Sequence, residues 1–450
     1  MNCYPTLTTL SLLTIATGLA IAGPDLIVSD ITSATTFGFV DGKMAYSFGT
    51  TLCNVGDIPL PWDSSIEEHP LVSQTIYRLA DGQLEQLGIG FVRHTTIPLS
   101  GNACGLGCTP TGFDALGVGC SDTSSSAIHG SQPRLGPRTE VDPYSGNYQF
   151  PFTSLGQSGD SIYKRLRVNL ADISDPSALY FVETQVITNG ETTDQTRANN
   201  VSYRQVVFSP GSASASVVGP TYTEQPAIFA WRDHGHGIGF PDAGVMITQA
   251  SIPGSGERFV IGSKATSIGI DQWRYDYTVH NQNLVHGISS ILIPLGNVQT
   301  ASGHTFHDVE YHDDVDELID NTDWTLDTTN GNAMWHIDED FDTNPLGNAI
   351  RWGTMYSFSF ISENEPVQKS MELGIFGPGA AGSMRVGIIA PQSGTCIADM
   401  NGDPANNFFD ISIFLQLYQV DNLNADFTGD GILNFFDISA FLTAFQAGCP

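Results

Sequence analysis

Two acidic twelve-residue segments near the end of the chain have the residue types and spacing of calcium-binding loops. Asp399–Asp410 and Asp426–Asp437 align at an offset of 27 residues, with oxygen-bearing side chains at loop positions 1, 3, 5, 9 and 12. Calcium prefers about six to eight hard oxygen ligands, and one such loop can supply them, position 7 through its backbone carbonyl. The predicted Ca²⁺ ligands are Asp399, Asn401, Asp403, Ala405, Asn407 and Asp410 in the first loop, and Asp426, Thr428, Asp430, Ile432, Asn434 and Asp437 in the second.

An apolar segment follows each loop and predicts a helix, Ile411–Tyr418 or Ile438–Phe445. The segment from Cys396 to Pro450 resembles the dockerin family, whose paired loop-helix repeats end in Asp where an ordinary EF-hand has Glu. This resemblance implies a small α-helical module over residues 395–450 that docks onto a cohesin-like protein or a cell-surface scaffold. Loop positions 10 and 11 help to choose the partner in that family. They are the predicted partner-binding residues Phe408, Phe409, Phe435 and Phe436, of which at least one in each pair is expected to pack in the module core.

The two loops are not equivalent. Pro404 stands where the sharp turn of the first loop normally has glycine, and Thr428 is a weaker third ligand in the second loop, which keeps Gly431. We expect the second site to bind calcium more tightly. The alternative is that calcium only folds the module, without a docking partner.

The composition and the first residues predict an exported protein. The formal net charge of −31 disfavours nucleic acid and anionic membranes, because those partners are bound through clusters of Lys and Arg. Residues 1–22 are largely apolar and end in Ala20-Ile21-Ala22, as in a cleaved signal peptide. No later segment has the roughly 18 consecutive apolar residues of a membrane span. We therefore expect a secreted or extracellular location, with attachment to a cell surface through the C-terminal module.

Six cysteines remain after the predicted signal peptide, and an even number in an exported chain favours disulfides. Cys396 and Cys449 bracket the C-terminal module and are expected to bond to each other. The other four leave three connectivities open. A zinc site is the alternative for Cys104, Cys108 and Cys120. These four cysteines are Cys53, Cys104, Cys108 and Cys120.

The region before the module predicts a mainly β fold. A chain of 450 residues is too long for one core, and its apolar residues come in short runs such as Leu179–Ile187 and Val201–Phe208, separated by turn residues. We expect a first β-sandwich over 23–211 with a long loop held by disulfides. A linker over 212–219 and a second β-sandwich over 220–391 follow.

Parts of the first domain are similar in order to pieces of the lysyl oxidase sandwich. They are Asn54–Gly56, Tyr77–Gly82, Gly119–Asp122 and Asn199–Asn200. That family binds copper through several closely spaced histidines, whereas the corresponding stretch here has only His69. The resemblance therefore implies a shared fold without the copper site.

The second domain holds eight of the eleven histidines. On an extended backbone, His304, Asp308, Glu310 and His312 would share one face and form a second metal site. The abundant carboxylates, such as Asp338 and Glu339, could include the pair that a glycosidase needs. These features keep two alternatives open, a metal-dependent oxidoreductase and a polysaccharide hydrolase carried by the module.

The hypothesis that the sequence favours is a non-catalytic exported protein. Its β-sandwich domains would serve adhesion, ligand binding or structure, with a glycan as a candidate ligand. The calcium-loaded module would present them on an extracellular assembly or cell surface.

Overall fold

A computed structural model describes most of the chain after the predicted signal peptide. The described residues are 23–252, 254–270, 272–295, 301–312, 319–329, 331–379, 382–392, 398–401, 406–428 and 431–447. Strands dominate, so the prediction of a mainly β protein is confirmed. None of the helices in these ranges is both long and apolar enough to cross a membrane.

The first β unit is one continuous antiparallel sheet of eleven strands with the order β1-β2-β10-β5-β4-β11-β12-β13, to which β6, β8 and β9 add at the sides. A short pair, β3 and β7, lies apart from it. The strands are β1 Leu26–Val40, β2 Lys43–Asn54, β3 Leu60–Pro61, β4 Leu71–Ala80, β5 Gln83–Ile89, β6 Val92–His94, β7 Ala115–Leu116, β8 Ser121–Ser124, β9 Leu135–Gly136, β10 Leu166–Asn169, β11 Leu179–Ile187, β12 Val201–Phe208 and β13 Ala215–Tyr222.

This sheet folds over so that its first strand lies beside its last two. The Ile31 backbone N–H donates to Oγ1 of Thr221 at 3.1 Å, and the Ser202 hydroxyl donates to the Val28 carbonyl at 2.6 Å. Side chains on the inner face, such as Phe48, form the core that the folded sheet encloses.

The second β unit consists of two five-stranded antiparallel sheets, β14-β15-β16-β21-β18 and β19-β20-β17-β22-β23. Its apolar core includes Tyr277 and Phe358 of the first of these sheets and Trp335 of the second. The strands are β14 Met246–Ser251, β15 Arg258–Gly269, β16 Gln272–Asn281, β17 Gly287–Pro294, β18 Ser302–His307, β19 Thr325–Thr329, β20 Asn332–His336, β21 Met355–Ser362, β22 Pro366–Phe376 and β23 Ser383–Pro391.

The segment predicted as a linker differs in the structure. Residues 215–222 form β13, which pairs with β12 from Phe208 to Tyr203. The small residues before it make a hairpin turn, in which the Ser209 N–H donates to the Ser214 carbonyl and Gly211 has a φ of +81°. Small and turn-forming residues suit a tight hairpin as well as a linker, and the sequence pattern does not separate the two.

The two β units share a buried polar interface. The Gln86 side chain donates to the Gly353 carbonyl at 3.2 Å and accepts from the Met355 N–H at 2.6 Å. The hydroxyls of Thr278 and Ser357 both donate to the Leu84 carbonyl. Because these groups are buried, the hydrogen bonds satisfy polar atoms that would otherwise oppose association of the units.

The helices are few and mostly short. They are α1 Ser126–His129, α2 Asp194–Ala198, α3 Phe229–Asp233, α4 Phe408–Gln419 and α5 Phe435–Ala447, with 3-10 turns at Gln132–Arg134, Arg138–Glu140, Leu170–Ile173 and Leu423–Ala425. Both C-terminal helices contain the predicted helical segments. They pack through the buried side chains Phe414 and Phe441, with Ala398 and Ala425, to form a small separate core.

Candidate functional site

Helix α4 begins directly at the end of the first predicted calcium loop. The Asn407 side chain accepts a hydrogen bond from the Phe409 N–H at 2.8 Å, and the Asp410 carboxylate accepts from the Asn407 N–H at 2.8 Å. This reciprocal capping box satisfies backbone donors that a helix leaves free at its first turn. Two predicted ligands, Asn407 and Asp410, are thereby fixed at the helix start.

The Asp410 carboxylate also closes the first loop across its length. Its Oδ1 accepts from the Met400 N–H at 2.8 Å and from the Asn401 N–H at 3.2 Å. Burial opposes ionisation of Asp410, but the backbone donors of Asn407, Asn401 and Met400 outweigh it and hold the pKa below its usual value. The group is therefore ionised at neutral pH, as a calcium ligand must be.

The second loop repeats this arrangement around Asp437. Its Oδ1 accepts from the Thr428 backbone N–H at 3.0 Å and from the Thr428 hydroxyl at 2.9 Å, and its Oδ2 accepts from the Asn434 N–H at 2.8 Å. The Thr428 hydroxyl also lies 3.2 Å from Oδ1 of Asp426. Gly431 has a φ of +79°, and its N–H donates to Oδ2 of Asp426 at 2.7 Å. Glycine is suited to this sharp turn because it adopts positive φ without steric cost.

The residues present fit a calcium ion. The Thr428 hydroxyl lies within hydrogen-bond distance of both Asp426 and Asp437, and the Asp437 carboxylate also accepts from the Asn434 N–H, so these predicted ligands lie close together. Position 7 contributes a carbonyl nearby, since the Asn434 amide donates to the Ile432 carbonyl at 3.1 Å. Calcium prefers oxygen ligands of this kind, whereas softer metals favour nitrogen or sulfur ligands. When bound, it would supply positive charge that draws these oxygens together.

Some predicted ligands cannot be placed. Asp403, Ala405 and Asp430 lie outside the described residues, as does Pro404. Across the described ranges, no three His, Cys, Asp or Glu side chains come together to hold a metal ion. The predicted calcium loops rely on Asn, Thr and carbonyl oxygens as well as on Asp.

The four phenylalanines at loop positions 10 and 11 are all exposed. Their relative exposure is 74% for Phe408, 66% for Phe409, 73% for Phe435 and 70% for Phe436. The expectation that at least one of each pair packs in the core is therefore wrong. Phe414 and Phe441 occupy the core instead, because at about 100° per residue neither Phe of a pair shares their face of the helix.

The cysteines of the first β unit form two disulfides, Cys53–Cys104 and Cys108–Cys120. This resolves the three connectivities that the sequence left open, and it replaces the zinc alternative. The bridges hold the loop after β6 against β2 and the segment before β8. Cys396 and Cys449 lie outside the described residues.

The predicted second metal site is not assembled. Strand β18 ends at His307, so the alternation that would align the four side chains does not continue. Asp308 accepts from the Asn348 amide at 2.6 Å, and Glu310 pairs with Lys43 of the first β unit. Nε2 of His312 lies 3.1 Å from the Ile89 carbonyl, while His304 is exposed on its strand.

His69 lies in a buried aromatic cluster rather than at an open site. Its Nε2 is 3.0 Å from Nδ1 of His94, and its ring packs against Tyr148. Burial lowers the pKa of His69 to about 4 and that of His94 to about 2, so both rings are neutral at physiological pH. No local sequence pattern predicts this pairing, because the two histidines lie on separate segments.

Carboxylates line a depression of about 210 Å³ in the second β unit, among them Asp320, Asp323, Asp338 and Glu339. Next to it, burial raises the pKa of Asp308 to about 6, assisted by the negative charge of Asp323. Asp308 was noted in the sequence only as a metal ligand. Its raised pKa results from burial. The sequence does not predict this burial, because Asp308 lies in a loop, where the spacing of apolar residues does not indicate which side chains are buried.

Comparison with known proteins gives no family for this chain. A scan against models of protein families found no match, and a search of curated proteins found none similar to it.

Proposed function

We propose that the C-terminal module is a calcium-dependent docking module that attaches the two β units to a protein partner on an extracellular assembly or cell surface. The observation that carries this proposal is the exposure of Phe408, Phe409, Phe435 and Phe436. Large aromatic side chains that remain in water form the anchors of many protein interfaces. Here they occupy the same two positions in both repeats.

The local structure supports a link between calcium binding and docking. Each Phe pair begins a helix and directly precedes Asp410 or Asp437, whose carboxylates hold the loop ends. Binding of calcium would restrict the positions of these carboxylates. The first turns of the two helices, which carry the Phe pairs, would then be held in place. The partner class is a cohesin-like protein, as the resemblance to dockerins implies. The β units would then serve adhesion, ligand binding or structure.

The experiment measures binding of the full chain to a panel of immobilised cohesin-like domains, with calcium and with a chelator. We expect binding that the chelator abolishes. Replacing all four phenylalanines by serine should weaken it by more than about tenfold, which corresponds to about 1.4 kcal/mol. Phe113→Ser is the control, since Phe113 is 82% exposed on the first β unit. Equal binding with and without calcium, or by the fourfold variant, would contradict the proposal.

A second candidate function, a polysaccharide hydrolase, is favoured by the acidic depression beside Asp308. Glycosidases need one carboxyl that stays protonated and one that is ionised. Burial raises the pKa of Asp308 to about 6, and Asp323 is a carboxylate close enough to raise it further. Release of sugars from a glycan panel tests it. Activity that Asp308→Asn and Asp323→Asn abolish would support a hydrolase, and no release from any glycan would reject it.

A further inference from the structure

A cavity of about 840 Å³ lies at one end of the first β unit. Three connections between strands form its wall, namely residues 39–44 between β1 and β2, residues 170–180 before β11, and residues 205–213 between β12 and β13. The chain is described without a break from residue 23 to residue 252, so all three connections can be followed in full. The volume is in the range of small-ligand sites, about 300–1,000 Å³, which also occur at the mouths of β-barrels.

The floor of the cavity is the apolar core that the folded sheet encloses. Ile173, Tyr180 and Val206 belong to that core, and all three line the cavity. Met44 and Phe208 also line it and pack against the core from the partly buried side. The core of the first unit is therefore continuous with the cavity at this end.

Two apolar side chains of the wall remain exposed at the entrance. Phe39 is 55% exposed and Leu170 is 37% exposed. Phe39 lies directly opposite Met44 in the β1–β2 pair, and residues opposite each other in such a pair share one face of the sheet. Phe39 therefore lies on the same face as Met44, toward the core and the cavity. Contact of these groups with water is unfavourable, so an apolar ligand that covers them would gain free energy.

Tyrosine hydroxyls hold two of the wall segments in place. The Tyr46 hydroxyl donates to the Ala213 carbonyl at 2.7 Å, and the Tyr180 hydroxyl donates to the Asp175 carbonyl at 3.0 Å. Because these segments are fixed before a ligand arrives, binding would require little further ordering. The phenol groups are also engaged in these bonds, so the rings are the parts of the tyrosines that remain for contact with a ligand.

The charge on the wall disfavours acids. Asp175 is the one charged residue among the eighteen described residues that line the cavity. The Ser177 hydroxyl and N–H donate to its Oδ1 at 2.6 Å and 2.8 Å, and they hold the pKa of Asp175 below its usual value. The ionised group would repel a carboxylate. A cation would gain little, because Asp175 is partly exposed and ion pairs near water contribute little.

We propose that this cavity is a binding site for a small uncharged molecule that is apolar over most of its surface. The core side chains would contact its apolar body, Phe39 and Leu170 would cover the body at the entrance, and its polar group would remain in water. The proposal stands independently of the calcium module, because every group that it uses belongs to the first β unit.

The test measures binding of 2-phenylethanol, cyclohexylmethanol and 1-octanol to the full chain by calorimetry, beside the carboxylate with the same carbon skeleton as each alcohol. We expect at least one alcohol to bind saturably at millimolar concentration or below. The matching carboxylate should bind at least about tenfold more weakly, because it is repelled and loses hydration. No binding by any of the alcohols, or equal binding of an alcohol and its carboxylate, would overturn the proposal.

Filling the cavity locates the site. Ala178 lines the cavity and packs against the core, so Ala178→Leu would occupy part of the space with an apolar side chain. This variant should weaken alcohol binding about tenfold, while its unfolding midpoint stays at or above that of the wild type. Ala171→Leu is the matched control, because Ala171 is exposed on the same segment and is not among the described lining residues. Unchanged binding by Ala178→Leu would show that the alcohol binds elsewhere and would overturn the assignment.

A second variant tests the entrance without changing the core. Phe39→Ser removes an exposed side chain of the wall and should weaken binding about fivefold. Phe113→Ser removes a Phe that is 82% exposed elsewhere on the first β unit, and it should leave binding unchanged. Equal effects of the two substitutions would contradict the proposed site.

Discussion

The rings of Phe414 and Phe441 lie parallel, with their centroids 4.0 Å apart and an angle of 2° between their planes. One belongs to α4 and the other to α5, so this contact joins the two repeats of the C-terminal module. Both side chains are almost fully buried. The packing of the two helices against each other therefore depends on it.

Phe414→Ala should unfold the module and leave the β units folded. Replacing a buried Phe by Ala costs about 3–5 kcal/mol, a large share of the stability of so small a core. Hydrogen exchange followed by mass spectrometry should show loss of protection in α4 and α5 only. Phe408→Ala is the control, because that side chain is exposed. Retained protection in Phe414→Ala would contradict the packing of Phe414 against Phe441.

The two C-terminal helices are a part of the fold that the sequence predicted well, since each contains the predicted segment. They depend on a short-range pattern, namely the apolar residues that follow each acidic segment. Leu179–Ile187 and Val201–Phe208 likewise form strands over the predicted ranges. These local signals act within a few residues, so a single sequence carries them.

Long-range contacts were not predictable in this way. The indole of Trp352 reaches the carbonyl of Arg138 across a separation of 214 residues, and no local pattern indicates such a pairing. The interface between the two β units and the folding over of the first sheet arise from contacts of this kind. The prediction that one Phe of each pair packs in the core was wrong for a related reason. Which side chains are buried depends on which face of each helix contacts the other repeat.

The buried Glu183 should make stability fall as the pH rises. Its Oε1 accepts from the Tyr77 hydroxyl at 3.3 Å and lies 3.9 Å from Nε2 of His280. Burial raises its pKa from 4.5 to about 7, so between these values the folded state binds more protons than the unfolded state. Its contribution to stability is complete below pH 4.5 and is lost as the pH rises to about 7, an effect on the order of 3 kcal/mol.

Glu183→Gln isolates this effect, because glutamine cannot ionise and its amide oxygen can still accept from the Ala227 N–H, as Oε2 of Glu183 does. Urea unfolding at pH 5 and pH 8 should show that the variant loses less stability than the wild type over this range. Glu67→Gln changes an exposed carboxyl and should behave as the wild type does. An identical pH dependence in the Glu183 variant and the wild type would show that Glu183 does not retain its proton.

The two disulfides should differ in their contribution to stability. Cys53–Cys104 spans 51 residues and Cys108–Cys120 spans 12. In the chain-entropy description the longer loop loses more freedom on closure, and removal should cost about 4 kcal/mol for the first bridge and about 3 kcal/mol for the second. Paired Cys→Ser variants and urea unfolding measure both costs. A larger loss for the Cys108–Cys120 pair would contradict this entropic order.

The most direct test of the calcium-dependent module is calorimetric titration of the chelator-treated full chain with calcium. We expect two binding events, of which Asp437→Asn removes the tighter and Asp410→Asn the weaker. Asp421→Asn, an exposed residue between the repeats, should leave both unchanged. Two events lost in this pattern would support the module and its docking role. No calcium uptake at millimolar concentration, or uptake unaffected by both loop variants, would contradict the account.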